Sequence, residues 1–287
     1  MAIHHDDHDD FGGLHRDLLA TGAEIGRRRW LRMAAVFGSA VGTIQLIGCS
    51  GDTPTSPSAT VADTTTTTTT TPPPTSSSTC SRVPEETAGP YPADGSNGPT
   101  VLSTSGVVRS DLRSSFGGLN GTADGVPLTV VLTIVSSTTC APLAGRAVYL
   151  WHCDRPGRCS LYSSGVTNQN YLRGVQEADA SGRVTFTSVF PGCYSGRWPH
   201  IHFEVFPGLS AAANVGNKVA TLQIALPKDA CDAVYATSGY ESSVRNLAQV
   251  SLASDNVFSD GSALELATAI GSPSGGYTAT LTVALAA

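Results

Sequence analysis

Arg197-Trp198-Pro199-His200-Ile201-His202-Phe203-Glu204-Val205 is the stretch on which the fold turns. A helix would send His200 and His202 to different sides. A strand puts His200, His202 and Glu204 on one face and Ile201, Phe203 and Val205 on the other. The unbroken alternation of polar and apolar side chains selects the strand. Two imidazoles side by side on a strand can hold one metal ion. An isolated His-x-His is more commonly plain polar surface; Tyr194 and Arg197, just upstream, set this one apart.

The same alternation recurs on both sides. Leu128, Val130, Leu132 and Ile134 alternate with Thr129, Val131, Thr133 and Val135. Val148-Tyr149-Leu150-Trp151-His152 follows the Ala144-Gly145 turn, and Val184-Thr185-Phe186 runs from Ala180-Ser181-Gly182 to Pro191-Gly192. Further strands are predicted from Lys218 to Leu226 and from Tyr277 to Leu285. Many short strands broken by turns indicate a mainly β fold, an antiparallel β-sandwich with little helix. One or two helical turns fit Ser242 to Leu252.

The first third of the chain reads differently. Arg27-Arg28-Arg29-Trp30-Leu31-Arg32 fits a twin-arginine (Tat) export pattern, and a small-residue-rich apolar run extends from Met33 to Ile47. That run is short for a membrane span and suits a signal peptide. Leu46-Ile47-Gly48-Cys49 reads as a lipobox, with Cys49 acylated as the anchor of a membrane lipoprotein on the extracytoplasmic face. From Ser50 to Thr79 the chain is almost wholly Thr, Pro, Ser and small residues, so the sequence predicts a disordered tether. The expected organisation is therefore a signal over 1–49, a tether over 50–79 and one domain over 80–287. The formal net charge is -6, and no basic run lies outside the signal, which argues against a nucleic-acid partner.

Seven cysteines occur, and setting Cys49 aside leaves six. In an exported protein an even number suggests a fully paired set, with the connectivity open.

With these pieces in order, the chain resembles the intradiol ring-cleavage dioxygenases, the non-haem ferric enzymes such as catechol 1,2-dioxygenase and protocatechuate 3,4-dioxygenase, and in particular their exported actinobacterial branch. The resemblance is carried by Glu86-Thr87-Ala88-Gly89-Pro90-Tyr91, Tyr149-Leu150-Trp151-His152-Cys153-Asp154, Tyr171-Leu172-Arg173-Gly174, Pro191-Gly192-Cys193-Tyr194, Arg197-Trp198-Pro199-His200-Ile201-His202 and Leu222-Gln223. It implies an Fe(III) cofactor, a catechol-type substrate and O2, with cleavage between the two hydroxyls to a cis,cis-muconate-type product. Tyr194, His200 and His202 match metal ligands of the family. Arg197 and Gln223 match residues of its reaction pocket, and Tyr91 matches a pocket-lining position.

One ligand departs from the pattern. The family turn ending Gly-x-Tyr reads Gly157-Arg158-Cys159 here, so Cys159 stands where the resemblance implies a permanently bound tyrosine. Three readings stay open. Tyr162 reaches in instead; Cys159 itself ligates, a set that suits zinc or copper as well as iron; or Cys159 is locked in a disulfide with Cys153. The opposing functional class is a catalytically impaired cell-surface module that binds a carbohydrate, an aromatic or a protein.

Overall fold

A computed structural model describes residues 80–286; the stretches read above as an export signal, an acylated Cys49 and a tether lie outside the described residues. Eight strands form two four-stranded sheets packed face to face: β1 (Pro127–Ser136), β2 (Ala147–Trp151), β3 (Arg173–Glu177), β4 (Arg183–Val189), β5 (His200–Phe206), β6 (Ala220–Ala225), β7 (Thr268–Ser272) and β8 (Gly276–Leu285). One sheet has the order β4-β1-β8-β7, the other β3-β2-β5-β6. Two short helices, α1 (Lys228–Tyr235) and α2 (Glu241–Leu247), complete the mainly β sandwich.

The alternating side chains do what the strand period dictates. Leu128, Val130, Leu132 and Ile134 of β1 point into the space between the sheets. There they meet Val148 and Leu150 of β2, Ile201, Phe203 and Val205 of β5, and Leu222 and Ile224 of β6. The opposite face of the second sheet is buried too. Tyr149, Trp151, Val175 and Phe206 pack beneath Ala93, Val101, Leu102, Val107 and Phe116 of the segment that precedes β1. Hence β2 and β5 are buried along their whole length, and the polar face of β5 is roofed rather than solvated.

The antiparallel expectation fails at one ladder. β1 and β8 run parallel, Leu128 opposite Tyr277 through Ser136 opposite Leu285; the long chain between them makes the crossover that parallel pairing requires. Two strands and a helix escaped the pattern. Arg173-Gly174-Val175-Gln176-Glu177 in β3 carries a glycine and three polar residues, and β7 is an exposed edge without a buried face. α1 buries Ala230, Cys231, Val234 and Tyr235 on one side directly after β6.

The fully paired cysteine set is also corrected. Cys80 and Cys140 form a disulfide, whereas Cys153, Cys159, Cys193 and Cys231 are buried thiols. The Cys153–Cys159 bridge is therefore not formed. The Cys153 thiol donates to the Gly192 carbonyl (3.3 Å) and the Cys193 thiol to that of Arg197 (3.4 Å).

Candidate metal centre

β5 begins at His200, so the pleat presents His200 and His202 together on the roofed face. Trp198 directs the first ring: the His200 Nδ1–H donates to the Trp198 carbonyl at 2.5 Å. That bond leaves the Nε2 lone pair facing inward, 3.0 Å from His202 Nε2 and 3.1 Å from Tyr194 Oη. The His202 ring lies flat on Trp151, its cross-strand partner, with centroids 5.0 Å apart and planes at 4°. Burial, reinforced by the nearby positive charge of Arg197, pushes both imidazoles well below their ordinary pKa. Both are therefore neutral, the form that binds metal.

Tyr194 arrives by a close approach of two loops. Gly192 packs so tightly on the 154–157 turn that a Cβ there would stand 2.4 Å from the Arg155 carbonyl. Gly157, in the left-handed region at φ +92°, would place a Cβ 3.3 Å from the Cβ of Tyr194. The turn bearing Cys159 thus abuts the tyrosine.

Arg197 is almost wholly buried. Its Nε donates to Asp255 Oδ2 (2.9 Å) and its Nη2 to Gln223 Oε1 (2.7 Å). Gln223 lies opposite His202 on β6 and donates its amide N–H to the Thr87 carbonyl (2.9 Å).

Residues 98–230 match the sequence model of a family described as dioxygenase. An intradiol ring-cleavage dioxygenase from Tetranychus urticae is 25% identical with a TM-score of 0.57, over 72% of this chain and 95% of that one. A second solved dioxygenase is 24% identical with a TM-score of 0.58, over the same shares of the two chains. The dioxygenase domain of a carbohydrate-binding fusion from Streptomyces sp. SirexAA-E is 22% identical with a TM-score of 0.47, over 72% and 99%. No match was found among curated proteins. The domain is similar to the intradiol ring-cleavage dioxygenases.

Within the dioxygenase-like domain, one small cavity is lined by Pro90, Tyr91, Cys159, Tyr194, His200 and His202, and by Trp151, His152 and Cys153. The structure therefore brings Tyr91 and Cys159 to the donor cluster. It does not bring Tyr162 there. The Tyr162 hydroxyl accepts from the Ala93 N–H (2.9 Å) and donates to Asn97 (3.1 Å), and its ring packs against Tyr91. Among the described residues no three His, Cys, Asp or Glu side chains are gathered as a metal site; the converging set is Tyr194, His200 and His202. Glu204, third on the polar face of β5, faces Lys218 at 2.8 Å, and burial pushes its carboxyl up to about 7.

Sequence reasoning missed Asp255. It lies in a loop, and no spacing rule links it to Arg197, 58 residues away. The stacking role of Trp151 was missed for a different reason: cross-strand register is invisible in one strand's sequence.

Proposed function

We propose that this chain is a non-haem ferric dioxygenase that cleaves catechol-type rings between the two hydroxyls, giving a cis,cis-muconate-type product. The observation that carries the reading is the convergence of Tyr194 Oη and His202 Nε2 on His200 Nε2, at 3.1 and 3.0 Å. With His200 Nδ1–H given to Trp198, inward lone pairs at this spacing favour a cation between them. The donor set fits Fe(III), since phenolate is a hard anionic oxygen and neutral imidazole completes a site with positions left over. When bound, the ion supplies Lewis acidity and a template for the substrate oxygens.

The rest falls to the chain's own side chains. Tyr194 Oη is positioned to take a proton from an incoming catechol hydroxyl. The Arg197 guanidinium, with Gln223 holding its Nη2 end, offers fixed positive charge to developing negative charge. Trp151 and Pro90 wall the cavity beside the donors. Cys159 favours a second reading, an impaired domain that binds an aromatic, carbohydrate or protein ligand without cleaving it. We further propose that the protein is exported by the twin-arginine route, acylated at Cys49 and held off the membrane by residues 50–79.

The test is elemental analysis and a visible spectrum of the purified chain. Iron near one atom per chain is expected, with a tyrosinate charge-transfer band that Tyr194→Phe removes. Stoichiometric zinc, or colour indifferent to Tyr194→Phe, would sink the ferric assignment.

A further inference from the structure

We propose that Asp255 is the positioning residue for Arg197, a buried carboxylate beyond the family-matched stretch that fixes the guanidinium plane beside the donor cluster. This rests on the reading of Arg197 given above. Asp255 has no exposed surface and Arg197 only 1%. Asp255 Oδ2 accepts from Arg197 Nε (2.9 Å) and from the Trp198 backbone N–H (2.7 Å). Its Oδ1 accepts from the backbone N–H groups of Val257 (2.8 Å) and Phe258 (3.1 Å). All four bonds converge on one carboxylate, so its own orientation is fixed by the backbone on both sides.

The consequence is geometric. A guanidinium is planar, and two bonds from different nitrogens, Nε to Asp255 and Nη2 to Gln223, define its plane. Gln223 is in turn tied to the Thr87 carbonyl. The chain Asp255–Arg197–Gln223–Thr87 therefore runs from the C-terminal loop to the segment before β1. Asp255 also holds the N–H of Trp198, whose carbonyl fixes the His200 tautomer. One carboxylate thus serves both the positive charge and a metal donor. Packing alone does not require it, because a buried ion pair is commonly no more stabilising than apolar side chains of the same volume. Preorganised charge is what such a pair adds.

Asp255→Asn keeps the shape and removes the charge. In the full iron-loaded chain with catechol as substrate, kcat should fall by about tenfold or more with KM changed by less than about threefold. Iron content should stay at the parent level, since asparagine keeps an oxygen for the Trp198 N–H and the His200 bond to the Trp198 carbonyl is untouched. In an Arg197→Leu background the same change should cost less than about twofold, the coupling expected of residues acting through one another. An equal loss in both backgrounds would make Asp255 merely structural and overturn the proposal. A second arm needs no turnover. In the parent chain labelled with ¹⁵N-arginine, the Arg197 Nε–H, assigned by its loss in Arg197→Lys, should exchange with solvent at least about a hundredfold more slowly than exposed arginines. Exchange at the surface rate overturns the proposal. A parent that holds iron yet cleaves no catechol would count against the proposed reaction, and the exchange arm would still decide the positioning of Arg197.

Discussion

Replacing both Cys80 and Cys140 by Ala opens the disulfide while leaving no new thiol. The bond joins residues 60 apart. In the chain-entropy account, closing a loop of that length removes about 4 kcal/mol of denatured-state freedom. The bond also has a local task. It tethers the start of the segment that roofs the second sheet, and that segment supplies Thr87, Pro90 and Tyr91 to the centre. Downstream of the disulfide the segment is held by Glu86 N–H to the Thr221 carbonyl (2.8 Å) and by Arg173 and the Tyr149 hydroxyl on the Pro92 carbonyl (2.9 and 2.7 Å). The double variant should therefore fold with the roof in place and lose about 3–4 kcal/mol, read as a lowered urea midpoint with a somewhat steeper slope, because the opened denatured chain exposes more surface. Dithiothreitol should produce the same loss in the parent and none further in the variant, because the remaining described cysteines are thiols. A loss below about 1 kcal/mol would refute the loop-closure argument, and a further reductant effect on the variant would refute the thiol assignment.

His202→Ala should abolish iron binding while the sandwich persists, checked by elemental analysis beside far-ultraviolet circular dichroism; retained stoichiometric iron would move the centre elsewhere. Cys159→Tyr, in the wall of the same cavity, should add a second phenolate, deepen the colour and raise muconate formation; a folded, iron-loaded variant no more active than the parent would rule out the missing phenolate as the defect. Acid should destabilise the domain through His152, whose pKa burial lowers from 6.5 to about 4. Between those values the unfolded chain binds the extra proton, so stability falls as pH drops, by about 3 kcal/mol over the window; His152→Gln should flatten that limb of the urea midpoint against pH. Glu204, raised by burial to about 7, works in the opposite sense: its contribution is full below about 4.5 and is lost as pH rises through 7.

Strand character, the shared face of His200 and His202, and the core-facing set of β1 were all legible in the sequence, because side-chain alternation is a local property of the backbone. The same holds for Tyr194 and Arg197, placed by short spacing from the histidines. Whatever depended on long-range register was decided only in three dimensions. The parallel pairing of β1 with β8, the stacking of Trp151 on His202 and the roof over the polar face of β5 each join segments whose separation carries no periodic signal. So it was with the cysteines. An even count suggested complete pairing, but packing put Cys153 and Cys193 against backbone carbonyls and left Cys80–Cys140 as the disulfide among the described residues. Asp255 makes the same point at the centre itself. The sequence supplied the arginine, but only the packing of a distant loop against the start of β5 supplied its carboxylate, since a buried charge finds its partner in space and not along the chain.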